Sequence, residues 1–157
     1  MSGYIMDMRK LVGNRTILQC GASVIVENEK GEILLQLRTD EQSWAYAGGS
    51  VELDENVEDA AKRELYEETG LIAEELELLG VFSGPEMHHV YPNGDEVSNI
   101  DVVYICRRYK GTPRCDYEEV KKLEFFSIDR MPDNIFKPNA KAIESYIKYR
   151  IGRKHPL

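Results

Sequence analysis

Gly49-Ser-Val-Glu-Leu-Asp-Glu55 is followed, after a seven-residue gap, by Arg63-Glu64-Leu65-Tyr66-Glu67-Glu68-Thr69-Gly70-Leu71. Val57 to Thr69 reads as a helix, with Asp54 or Asn56 as its N-cap and Gly70 as its C-terminal stop. At about 100° per residue, Glu64, Glu67 and Glu68 fall within a sector of roughly 100°. Val57, Ala60 and Ala61 share that side; Glu58, Asp59, Lys62, Tyr66 and Thr69 fall on the other. A glutamate-rich helix is ordinarily a solvated face. Here the carboxylates share the apolar face, which turns them toward the protein body. Two carboxylates at roughly 5–6 Å repel by about 3 kcal/mol at an effective dielectric near 20, a cost a fold does not normally keep without a counter-charge. Oxygens at i, i+3 and i+4 suit a hard divalent cation, and Mg2+ takes a few carboxylates, waters and phosphate oxygens. Mn2+ is the alternative.

The rest of the chain bounds this reading. Its 157 residues, 42% hydrophobic, suffice for one domain over 1–157 with a real core. The net charge of −8 argues against a nucleic-acid polymer or an anionic membrane surface as partner. An acidic protein still binds a polyphosphate when a cation lies between them. Cys20, Cys106 and Cys115 show no C-x-x-C spacing and read as free thiols of a reducing cytoplasm. Met1 to Arg9 has no long apolar run, so no signal peptide is expected.

Working outward, Tyr4 to Leu11 fits a short amphipathic helix that packs on its own domain or on a partner subunit, in a monomer or a homodimer. Strands are expected over Ile17–Asn28, Ile33–Leu37, Trp44–Glu52, Glu77–Ser83, His88–Tyr91, Val97–Tyr109 and Lys122–Ser127, with Asn93-Gly94 as a hairpin turn. Pro138 to Ile151 closes the chain as a helix carrying Ile143, Tyr146 and Ile147 on one side. The class is α+β, with helices packed on a mixed sheet.

The segment from Gly49 to Leu71 resembles the Nudix box: Gly, five residues, Glu, seven residues, Arg-Glu-aliphatic-x-Glu-Glu-x-Gly-aliphatic. Its seven fixed residues agree by chance with a probability on the order of 10⁻⁹ per window. The resemblance implies a Nudix fold, an α/β/α sandwich around a mixed β-sheet, and Mg2+-dependent hydrolysis of a phosphoanhydride bond in a nucleoside diphosphate derivative. By the same resemblance Glu64, Glu67 and Glu68 hold the metal, joined by the Gly48 carbonyl, with Glu52 as a further candidate. Arg63 pairs with a box carboxylate and holds it in place. Many relatives read Pro-Gly-Gly where this chain has Ala47-Gly48-Gly49, and Gly-Glu where it has Asp54-Glu55. Degenerate binding modules of the family lose a glutamate of the core, whereas this chain keeps all of them.

The general base is Glu64 or one of Glu118 and Glu119. Arg38 and Lys121 are candidate contacts for outer phosphates. Trp44, Tyr46, Phe82, Tyr91 and Tyr104 are candidates for stacking on the nucleoside, although strand aromatics are more often core. His88-His89 reads as an exposed pair. Phe136-Lys-Pro-Asn-Ala140 resembles the segment before the last helix of MutT-like triphosphatases, where an asparagine reads a purine. Asn139 is thus a base reader or a plain helix N-cap. Pro85 lies near the place where ADP-ribose hydrolases of the family carry a proline. A nucleoside triphosphate and an ADP-ribose-like diphosphate both stand as substrates.

Overall fold

A computed structural model describes residues 3–154. The ends of the 1–157 domain expectation, and the Met1–Ser2 part of the leader reading, lie outside the described residues. Helix α1 spans Tyr4–Val12, strand β1 Ile17–Val26 and β2 Ile33–Arg38. Strands β3 (Trp44–Ala45) and β4 (Ala47–Ser50) lead into α2 (Val57–Thr69). Then come β5 (Ile72–Phe82), β6 (His88–Val90), β7 (Glu96–Lys110), β8 (Val120–Phe126) and α3 (Ala140–Lys154).

The strands form two sheets. One runs β4-β1-β7-β5 with β6 also on β7, and its β1–β7 pair is parallel while the others are antiparallel. The other is antiparallel, in the order β3-β2-β8. The Trp44–Glu52 segment splits at Tyr46, so β3 pairs with β2 while β4 pairs with β1. Both sheets are covered on both sides, which explains why β1 and β2 read as continuous apolar runs. Ala22, Val24, Val26 and Leu34 pack with Ala60, Ala61 and Leu65 of α2. Ile25, Ile33 and Leu35 alternate with them and pack with Ala142, Ile143 and Tyr146 of α3. The layers are therefore α2, sheets, α3.

Two sequence expectations are corrected. Strand β5 begins at Ile72, five residues earlier than the Glu77 start, because it pairs with β7 through bulges near Ala73, Glu75 and Leu78 that break its apolar alternation. Helix α1 forms, yet buries no residue and leaves Leu11 80% exposed. Its anchor is Arg9, which donates to the carbonyls of Gly13, Arg15 and Glu96 at 3.0, 2.7 and 2.6 Å.

Candidate functional site

Helix α2 is flanked by Asn56 and by Gly70, whose φ of 77° is the left-handed conformation glycine adopts without strain. Asn56 is the N-cap residue by conformation, but its side chain donates to Asp59 (3.2 Å) rather than accepting a helix N–H. Asp54 has a φ of 62°, which accounts for the glycine many Nudix boxes carry there; aspartate is among the residues that tolerate this region.

The box glutamates divide by depth. Glu68 is buried: its Oε2 accepts the Gly48 N–H and the Gln36 Nε2–H, each at 3.0 Å. The Glu64 side chain is 15% exposed and Glu67 is 55% exposed, so Glu67 stands on the solvent rim rather than facing inward. Thr69, assigned to the outer side, is buried, its hydroxyl donating to the Leu65 carbonyl at 2.6 Å. The chain turns back at Gly70, and Leu71, also buried, closes over it.

Arg63 is the hub. It donates to both oxygens of Glu55 (2.7 and 3.0 Å), to Glu64 (2.8 Å), to Glu67 (3.4 Å) and to the Ser50 carbonyl (3.1 Å). These bonds hold Glu55 below the usual carboxylate range and Arg63 above its ordinary value. Burial drives Glu68 up to about 8, with the nearby Glu64 and Glu119 charges adding to it. Burial likewise raises Glu64, with Glu67 and Glu119 contributing, and raises Glu119. The Glu119 charge contributes to the raised values of both Glu64 and Glu68, which places it near the box carboxylates.

Beside this cleft lies a pocket on the α3 face of the sheets. Gln19, Gly21 and Ser23 of β1, Asn99 and Asp101 of β7, and Tyr46 line it, with Arg38, Tyr91, Phe136 and Asn139 at its walls. Gly48 and Gly49 belong to both sites. A Cβ on Gly49 would collide with the Glu64 carboxyl, and one on Gly48 with Ser23. Asp101 is buried and accepts from Ser23 Oγ (2.7 Å) and Tyr46 Oη (2.9 Å). Burial raises both Asp101 and Tyr46 above their ordinary values. Asn139 does not cap α3; its Oδ1 accepts the Tyr46 N–H at 3.0 Å, which orients the amide. Arg38 is held by both oxygens of Asp40 (3.0 and 2.7 Å), and its guanidinium lies 4.4 Å from the Phe136 ring centre and 5.8 Å from that of Tyr91.

The remaining nominees sit elsewhere. Glu52 is committed to α1, its Oε2 accepting the Tyr4 N–H at 2.9 Å. Lys121 donates to Gln42 (3.1 Å). Trp44 and Phe82 are core, and half-buried Tyr104 packs toward the α2 side. His88 and His89 form strand β6 and pair with Glu96 (2.7 Å) and Glu41 (2.9 Å). Pro85 is exposed at the start of a short 3₁₀ turn. Asp101, Ser23, Gln19 and Gln36 were missed by the sequence reading; polar residues interrupting apolar strands were the available signal.

The donors around the cleft are all oxygens, which fits a hard divalent cation. Among the described residues no group of three His, Cys, Asp or Glu side chains is drawn together closely enough to hold a metal ion by itself. The buried Gln36 Oε1 has no hydrogen-bond partner among protein atoms.

The layered sandwich sets the box carboxylates beside a polar, aromatic-walled pocket, with Gly48 and Gly49 between them. The model of the NUDIX domain matches residues 18–146, and the chain belongs to the Nudix family. The ADP-ribose pyrophosphatase of Methanocaldococcus jannaschii is 32% identical over 155 residues, covering 96% of this chain and 87% of that one. The MutT NUDIX hydrolase from Burkholderia pseudomallei superposes with a TM-score of 0.69 at 27% identity, over 83% of this chain and 98% of that one. The MutT protein from Methanosarcina mazei Go1 has the same fold, with a TM-score of 0.70 at 20% identity, over 87% and 97%. The chain is a hydrolase of pyrophosphate bonds in nucleoside diphosphate derivatives, from a family that uses divalent metal.

Proposed function

We propose that this enzyme is a Mg2+-dependent pyrophosphatase whose first substrate is ADP-ribose or a close relative. The observation that carries the reading is the Gly48–Gly49 edge, which has the box carboxylates on one side and the polar pocket on the other. A nucleoside in the pocket thereby delivers its diphosphate to the cleft. Glu64, Glu67, Glu68 and the Gly48 carbonyl would hold the cation, which supplies charge neutralisation and Lewis acidity when bound. Glu52 is left out because α1 occupies it.

Arg63 holds Glu64 and Glu67 in place, itself fixed by Glu55. Glu119 takes the proton from the attacking water; partial burial among other carboxylates makes it a stronger base than a free glutamate. Tyr91, Phe136 and Arg38 wall the nucleoside end, and the Asn139 amide reads the base. Free thiols at Cys20, Cys106 and Cys115 suit the cytoplasm. Among the described residues no helix is long and apolar enough to cross a membrane.

ADP-ribose ranks first because the Methanocaldococcus jannaschii relative is similar over nearly the whole chain, pocket strands included. A nucleoside triphosphate is the second reading, favoured by the position of Asn139 in the pocket. Purified protein with Mg2+ and a nucleotide panel tests both. Release of AMP and ribose 5-phosphate from ADP-ribose is expected; nucleoside monophosphate and pyrophosphate from a triphosphate would select the second reading. Glu68→Gln lowers the rate by orders of magnitude with the fold retained. Full activity in excess EDTA would overturn the metal mechanism.

A further inference from the structure

Gln36 occupies the junction between the carboxylate cleft and the pocket. Alternation along β2 sends Leu34 and Gln36 toward α2, while Ile33 and Leu35 face α3. Gln36 is 4% exposed, in a strand whose other residues up to Leu37 are all aliphatic, where a leucine would pack without polar cost. Its Nε2 donates to Glu68 Oε2 at 3.0 Å, the same oxygen that takes the Gly48 N–H. Its Oε1 is buried and meets no donor among protein atoms. An amide oxygen left so has given up water without gaining a donor, so the protein carries a penalty at this position.

We infer that Gln36 is a positioning residue for the cation-holding carboxylates. Two N–H groups converging on Glu68 Oε2 fix the rotation of that carboxyl and leave Oε1 as the oxygen presented to the cleft. Gln36 thus acts through Glu68, without reaching the cation itself. This rests on the cation site of the proposed function.

The test uses nucleotide-free protein and Mn2+ alone, with free Mn2+ read from its paramagnetic resonance signal. Gln36→Met keeps the side-chain length and removes both hydrogen-bonding groups. It should bind Mn2+ about 10–100-fold more weakly while retaining the wild-type circular dichroism spectrum. Its KM for nucleotide at saturating metal should hold. Mn2+ affinity within twofold of wild type, in a folded variant, overturns the inference. Should the variant fail to fold, wild type answers: the Gln36 side-chain amide resonance shifts on Mg2+ addition, and a resonance unmoved at saturation overturns the role. Wild type that binds no Mn2+ defeats the cation site itself, a failure distinct from equal binding by wild type and variant.

Discussion

Removing the Arg63 guanidinium should cost this protein stability in a pH-dependent way. Its two bonds to Glu55, at 2.7 and 3.0 Å, form a bidentate pair in which the side chains are 31% and 17% exposed. Fully exposed pairs are worth about 0–1 kcal/mol, and breaking a buried pair costs about 3–5 kcal/mol. The intermediate exposure places this coupling near about 2 kcal/mol. In a chain of this length that lowers the melting temperature of Arg63→Met by about 4–8 °C at pH 7.

The sign of the pH effect follows from Glu55, whose folded pKa lies below the ordinary 4.5 because Arg63 favours its charged form. Its contribution is present above the unfolded value and lost as pH falls through the folded one. The deficit of Arg63→Met should therefore shrink as pH drops below about 4.5. Urea unfolding of wild type, Arg63→Met, Glu55→Gln and the double variant, at pH 7 and at the lowest pH where wild type remains folded, gives the coupling directly. A coupling below about 0.5 kcal/mol at pH 7, or a deficit that ignores pH, would refute the reasoning.

Gly49→Ala places a methyl against the Glu64 carboxyl, so kcat should collapse while thermal melting shows a folded domain. Glu119→Gln should lower kcat by about 10²–10⁴-fold, whereas Glu118→Gln changes it far less; equal effects in steady-state assays would remove Glu119 as the base. Asp101 is raised by burial, so the folded protein holds its proton to higher pH than the unfolded chain does. Wild type consequently loses stability through this group as pH rises from about 3.8 through the folded value. Asp101→Asn flattens that slope, and denaturation across pH 4–7 that shows parallel slopes would exclude it.

How much was legible in the sequence differs by element. The α2 boundaries, Val57 and Thr69, were read correctly because local signals govern them: helical periodicity, the extended Asn56 and the left-handed Gly70. The hairpin at Asn93-Gly94 was legible for the same reason, with Gly94 at φ 92°. Within the site, Asn139 offered two readings of one residue. Only the Tyr46 N–H, far away in sequence, decided between capping and pocket lining.

The glutamate spacing by itself determined that Glu64, Glu67 and Glu68 share a side of one helix, because angular position on a helix depends only on residue number. Tertiary structure decided their depths: Glu68 under Gln36 and Gly48, Glu64 at Arg63, Glu67 at the rim. It also decided that Asp101, Ser23 and Tyr46 converge, since Ser23 and Asp101 come from strands paired across a long stretch of chain and Tyr46 from the break between β3 and β4. Periodicity gives a residue its face, whereas strand pairing and layer packing choose what that face meets.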